Sequence, residues 1–368
     1  MRLKQLNIVQ FKNLKELEFT PHPNINAFVG LNGMGKTNIL DAIHYLCLSK
    51  SNFNRIEKNN ILFGCDFFRL KGDFNIINEE HEIVIKYKVN TNKIIEDNKK
   101  ALEKITDHIG KFPVVIITPN DKNDLLENSA DRRNFMNKAL SQTNKRYLEA
   151  LVEYNKLLHQ RNAYLKNTNP SQADVLLIET YDHKMYPLVR LIIKERQLFI
   201  EKIKNDFFKS YHDISQGKEK PDIEYVNQMQ DTDYMDLTRQ NLHKDIILKR
   251  STVGIHKDDL VFSLDGKSLK HFGSQGQLKS FLLAIRLAEF SFLKHQKKIN
   301  PILILDDIFD KLDKIRLKKL VSMLFDKQFG QVFISDTDLN RMLNVFAETK
   351  IDHRIFEIEE GKIVNIYD

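Results

Sequence analysis

Lys36, Thr37, Asp306 and Asp307 are the side chains whose types and settings suit phosphate chemistry. Lys36 and Thr37 close the run Gly30-Leu31-Asn32-Gly33-Met34-Gly35-Lys36-Thr37, a complete G-x-x-x-x-G-K-T, with Asn38 next. In such a loop the glycines let successive backbone N–H groups turn inward onto an anion, and the following helix adds its positive end. Lysine then meets the β- and γ-phosphates and the threonine hydroxyl meets Mg²⁺, so Gly30 through Asn38 are candidate ATP-binding residues. Asp306 and Asp307 end the apolar run Pro301-Ile302-Leu303-Ile304-Leu305. A buried strand with a carboxylate at its tip is how such ATPases hold the metal, which makes Asp306 the second Mg²⁺ partner beside Thr37. Asp307, one residue on, is placed to polarise an attacking water, and Lys36 and Asp307 are the candidate catalytic residues.

A third element, Ser274-Gln275-Gly276-Gln277, follows Gly273 and opens an amphipathic run with Leu278, Phe281, Leu282, Ile285, Leu287, Ala288 and Phe292 on helical spacing. It is a second helix start suited to an anion, and one nucleotide cannot usually occupy two such ends of one subunit. The economical expectation is that Ser274 and Gly276 cap the γ-phosphate held by a second copy of the chain. Each motif alone has a plainer meaning: a glycine turn, a solvated acid pair or a polar helix cap. Their co-occurrence in this order favours the nucleotide reading.

The elements that position these groups follow from periodicity. An apolar strand, Ile25 to Val29, precedes the loop and a helix follows it. Phe67 to Leu70, Ile83 to Tyr87 and Val114 to Ile117 are further strand-like runs, whereas Tyr147, Leu151, Tyr154 and Leu158 recur at helical spacing. A second helix near 172–211, carrying Pro187, should fold back across the turn at Asn167 to Ser171 as an antiparallel hairpin, kinked at the proline. Lys36 and Asp306 lie far apart in the chain yet must meet around one Mg²⁺. The expected organisation is therefore an α/β ATPase head of mixed sheets around the phosphate-loop helix, built from 1–128 and 251–368, with a helical arm or lobe inserted at 129–250.

The phosphate loop, a signature turn of L-S-G-G-Q type, the aspartate-tipped strand and then Phe309-Asp310-Lys311-Leu312-Asp313 match, in order, the motifs of ABC-type ATPase heads. Within that class the chain resembles the RecF family of bacterial recombination-mediator ATPases. The likeness is carried by Met1 through Leu14, Thr118-Pro119-Asn120-Asp121, Ala130 through Phe135, Leu157 through Ala163 and Gly254 through Leu260, and it runs over essentially the whole chain. It implies a protein of recombinational repair and replication restart that binds ATP with Mg²⁺ and closes as an ATP-dependent homodimer. The implied partners are single- and double-stranded DNA at gaps, RecR, and RecO and RecA in the same pathway. It also implies slow, DNA-stimulated ATP hydrolysis. Departures from the wider class are Gly273 in place of the signature leucine, Asp307 in place of glutamate, and Ser335-Asp336-Thr337-Asp338 where a switch histidine is expected.

Bulk properties agree. The chain has 368 residues with net charge +7 and 42% hydrophobic residues, enough for a substantial core and favouring an anionic partner. Cys47 and Cys65 lack metal-type spacing, the start shows no charged-then-apolar leader, and no stretch is long and apolar enough to span a bilayer, so a cytoplasmic protein without a membrane partner is expected. The alternative reading is the ATP-hydrolysing subunit of an ABC transporter, which shares the motifs but gives no reason for the inserted arm.

Overall fold

The computed structural model describes residues 1–54, 56–169, 173–215, 219–308, 329–349 and 352–368. The strands are β1 (Arg2–Phe11), β2 (Leu14–Phe19), β3 (Ile25–Val29), β4 (Phe67–Ile76), β5 (Glu79–Lys88), β6 (Ile94–Asp97), β7 (Lys100–Ala101), β8 (Val114–Ile117), β9 (Pro221–Val226), β10 (Asp259–Leu264), β11 (Lys267–Ser268), β12 (Ile302–Leu305), β13 (Val332–Asp336), β14 (His353–Glu359) and β15 (Lys362–Tyr367). The helices are α1 (Lys36–Leu48), α2 (Asp121–Glu127), α3 (Ser129–Thr143), α4 (Lys145–Asn167), α5 (Val175–Ser215), α6 (Tyr234–Leu248), α7 (Leu269–Phe272), α8 (Gln275–Lys297) and α9 (Leu339–Thr349). The stretch Phe309 to Asp313 lies outside the described residues.

Contacts divide the chain into two compact units. The first comprises Met1–Asp121, Ser210–Gly217 and Lys279–Asp368; the second comprises Lys122–Lys209 and Lys218–Leu278. The first unit holds two six-stranded sheets, ordered β2-β1-β4-β5-β6-β7 and β15-β14-β3-β13-β12-β8. In the second of these, β8, β12, β13, β3 and β14 are mutually parallel and only β15 runs antiparallel. Strands β3, β8, β12 and β13 are buried throughout, as a parallel sheet covered on both faces requires. Leu3, Leu6 and Ile8 all face the core although Leu3 and Leu6 differ in strand parity. A register shift between Leu3 and Gln5 reconciles them. One apolar core joins the sheets, with Phe11, Tyr45 and Phe68 meeting edge to face and Phe28 stacked on Phe356.

The second unit contains α3, α4, nearly all of α5, α6 and the sheet β11-β10-β9. Tyr164 OH accepts from Asp174 N–H, Arg161 pairs with Asp182 and Arg196 Nε donates to Tyr147 OH. These links run in opposite directions along α4 and α5, so the two helices form an antiparallel hairpin. Pro187 lies inside α5 without ending it. Tyr147, Leu151 and Tyr154 are buried as their spacing predicts, and Leu158 is half-buried. The lobe is expected from sequence to end at 250/251. The β9–β10 ladder, Asp259↔Val226 through Leu264↔Pro221, ties the segment after 250 to the lobe, and the unit extends to Leu278.

Two motifs quoted for the family resemblance turn out to be buried ionic clusters of this lobe. Arg161 reaches both Asp182 and Asp245 and also Ser251 Oγ, all at 2.8–3.1 Å and all buried. Arg196 meets Asp258 and the Ile255 carbonyl, while Arg132 forks onto Asp259 and Arg133 donates to the Asp258 carbonyl. Burial of such charges is tolerated only when each is paired in this way.

Candidate nucleotide site

Strand spacing sets the problem that the site solves. The phosphate loop leaves the C-terminal end of β3 and Asp306 leaves that of β12, with β13 between them. Their tips are therefore two strand spacings, about 10 Å, apart. Thr37, in the first turn of α1, closes that gap and donates its hydroxyl to Asp306 Oδ1 at 2.8 Å. The two groups assigned to the metal from sequence thus come together.

The loop between them has the strained backbone its glycines permit. Gly30, Gly33 and Gly35 have φ of 148°, 84° and 107°. At Gly30 a Cβ would lie 2.3 Å from the Ile358 carbonyl oxygen of β14, so only glycine fits. Lys36 is buried and its Nζ donates to the carbonyls of Gly30 at 2.7 Å and Leu31 at 2.9 Å, which stretches the side chain back along the loop. Leu31, Asn32 and Gly33 are exposed, Met34, Thr37 and Asn38 half-buried.

Two hairpin turns brace the loop from outside, and sequence reasoning missed both. Asn13, in the β1–β2 turn, donates to the Gly33 carbonyl at 3.2 Å and accepts from Asn38 Nδ2 at 2.6 Å. From the β14–β15 turn, Gly361 N–H donates to the Met34 carbonyl at 2.9 Å. Neither contact has a local signal, because each joins the loop to residues distant in sequence.

Asp306 is buried, and burial pushes its carboxyl above the usual carboxylate range against the opposing hydrogen bonds from Ser335 and Thr37. Ser335, at the end of β13, donates to Asp306 Oδ1 at 2.7 Å and accepts the Asp307 N–H at 2.8 Å. Asp307 sits in the left-handed region, φ 46°. Among the described residues no cluster of three or more His, Cys, Asp or Glu side chains could hold a metal alone. The donor set of one hydroxyl and one carboxylate fits Mg²⁺ in the form in which that ion usually arrives, carrying water and substrate phosphates for its remaining positions.

The signature turn belongs to the second unit. Ser274 Oγ accepts the Gln277 N–H at 3.3 Å while Gln277 Oε1 accepts the Ser274 N–H at 2.7 Å, a reciprocal cap on α8. Gln277 Nε2 also reaches Glu219 at 3.1 Å. Ser274 and Gln275 remain exposed and Gly276 half-buried. At Gly273 a Cβ would lie 2.6 Å from the Leu269 carbonyl oxygen, so any side chain there would force the turn to shift.

A phosphate loop after one parallel strand, an aspartate from the strand two places away and a helical lobe inserted between them define an ABC-type ATPase head. Consistently, the RecF/RecN/SMC N-terminal domain family matches residues 2–357. The chain is 39% identical to the DNA replication and repair protein RecF of Flavobacterium johnsoniae, over 97% of this chain and all of that one. It is 37% identical to RecF of Cytophaga hutchinsonii, over 99% and 96%. A solved structure of the recombination mediator protein RecF with ATP, of the RecFOR pathway, superposes with TM-score 0.88 at 28% identity, covering 100% of this chain and 97% of that one. A Pyrococcus furiosus Smc head domain shares the fold, with TM-score 0.56 and 14% identity over 99% and 95%. The chain belongs to the RecF family. The transporter-subunit alternative is therefore not favoured. No described helix is long and apolar enough to cross a membrane.

Proposed function

We propose that this chain is an ATP-dependent DNA-binding protein of recombinational repair that hydrolyses ATP slowly and uses the nucleotide to close a homodimer on DNA at single-strand gaps. The observation that carries the reading is the Thr37 to Asp306 hydrogen bond at 2.8 Å, which joins the loop and the acid-tipped strand at one point. Gly30 through Asn38 hold the phosphates, with Lys36 supplying positive charge to the terminal ones. Thr37 and Asp306 would hold Mg²⁺, which supplies neutralisation of the phosphate charge. Asp307 orients the attacking water and accepts its proton.

Ser274, Gln275, Gly276 and Gln277 cap the γ-phosphate of a second copy, so two nucleotides join identical surfaces about a two-fold axis. The exposure of Ser274 and of the start of α8 supports this, as does a hydroxyl that accepts the Gln277 N–H and can still donate its own proton. The relatives' name, DNA replication and repair protein, supports DNA as a partner, and the RecFOR pathway named for the solved structure supports RecR and RecO; RecA and a cytoplasmic location rest on the family resemblance alone. The test is equilibrium titration with ATP and Mg²⁺, followed by turnover with and without gapped duplex. Tight ATP binding with DNA-stimulated turnover is expected; turnover indifferent to DNA contradicts the reading.

A further inference from the structure

We propose that Ser335 is the positioning residue of the acid pair, holding both acids through one hydroxyl. This rests on the reading of Asp306 and Asp307 above and goes beyond it. A serine hydroxyl has one proton and two lone pairs, and both capacities are used on the pair. The proton goes to Asp306 Oδ1 at 2.7 Å, and an acceptor position takes the Asp307 N–H at 2.8 Å. The longer approach to Asp307 Oδ1, 3.5 Å, competes for the same proton and loses.

The placement is rigid. Ser335 is fully buried on β13, the strand between the phosphate-loop strand and the acid strand, and pairs in register with Phe28. Asp306 Oδ1 thus accepts from Thr37 and Ser335 together, which fixes its rotamer and leaves Oδ2 without a protein donor among the described residues. The backbone of Asp307 is left-handed, a conformation costing a non-glycine residue roughly 1–2 kcal/mol. The hydrogen bond from its N–H to Ser335 Oγ offsets part of that cost and sets where the Asp307 carboxylate starts. The neighbouring Asp336 does not share the task, because Arg341 holds it through Nη2 at 2.6 Å and Nε at 3.1 Å.

Ser335→Thr and Ser335→Val have the same shape and differ in the hydroxyl, and Ser335→Ala carries no added bulk. Each full-length variant is measured for ATP affinity, for the Mg²⁺ concentration giving half-maximal turnover, and for kcat, with Asp307→Asn alongside. Ser335→Ala and Ser335→Val should keep ATP affinity within about twofold, raise the Mg²⁺ requirement about tenfold and lower kcat about 10- to 100-fold. Ser335→Thr should recover most of both losses. Parental Mg²⁺ dependence and kcat in Ser335→Ala overturn the inference, as do equal losses in the Thr and Val variants. If Asp307→Asn itself turns over at the parental rate, the reading of the acid pair fails instead.

Discussion

Thr37 and Asp306, brought from opposite ends of the chain, share a hydrogen bond of 2.8 Å across the strand that separates their own. In the proposed site that bond marks the place of phosphate chemistry, and Lys36 stands beside it with its ammonium folded onto the loop carbonyls. Lys36→Ala should lower ATP affinity by about 100-fold or more, the loss of a charge-assisted contact of ~3 kcal/mol. Lys36→Arg should keep much of the binding and lose hydrolysis, because a planar guanidinium cannot replace a point charge. Equilibrium titration and a turnover assay separate the two, and unchanged affinity in Lys36→Ala would remove the site assignment.

Asp307→Asn tests the water-orienting role without disturbing the backbone, since asparagine tolerates the left-handed φ of 46°. It should bind ATP as the parent does and hydrolyse it at least about 100-fold more slowly. ATP-bound dimers should then accumulate. A variant with parental single-turnover kinetics would assign the work to another group.

Arg161 lies in one of the stretches that carry the family likeness, and its guanidinium is buried between Asp182 and Asp245. Arg161→Met should destabilise the lobe by about 3–5 kcal/mol, because two buried carboxylates lose their partner. Chemical denaturation followed by a probe in the lobe measures this. A loss of DNA affinity at unchanged stability would contradict the structural role.

These comparisons show why the phosphate loop and the acid strand were legible and the rest was not. Gly30 to Thr37 and Ile302 to Asp306 are contiguous, and their glycines, apolar run and terminal carboxylate state the local geometry directly. Asn13, Gly361 and Ser335 act through contacts between distant segments, and an isolated serine or asparagine carries no periodic signal. The tie between the segment after 250 and the lobe was hidden for the same reason, since the pairing of β9 with β10 cannot be seen from either strand alone. The family resemblance pointed to Arg161 and Asp258 without revealing that they are buried.

The buried histidines should cost stability in mild acid. Burial lowers His108 and His256 to about 4, well under the ordinary histidine value of 6.5, while it raises Asp258 to about 6. Between pH 6.5 and 4 the unfolded chain takes up two histidine protons that the folded chain refuses, so stability is lost as pH falls through that window. Asp258 acts with the opposite sign, binding its proton more readily when folded. Burial raises Asp182 and Asp306 as well, in the same direction as Asp258, so the histidine contribution is isolated by comparing the parent with His108→Gln. Urea midpoints of both proteins at pH 7.5 and pH 5 measure it, and His108→Gln should lose less of its midpoint between the two than the parent does; an equal loss in both would contradict the assignment to His108.

In the proposed dimer a nucleotide is shared between two copies, with Ser274 of each closing over the phosphate loop of the other. Nucleotide that binds the dimer better than the monomer must shift the equilibrium between them by mass action. Analytical ultracentrifugation of the parent and of Ser274→Arg, each with and without ATP and Mg²⁺, measures that shift directly. The parent should sediment as a monomer alone and as a dimer with ATP, whereas Ser274→Arg should bind ATP nearly as tightly and remain monomeric. An ATP-dependent dimer that persists in Ser274→Arg would mean that the serine only caps α8, and the shared-nucleotide account would be wrong.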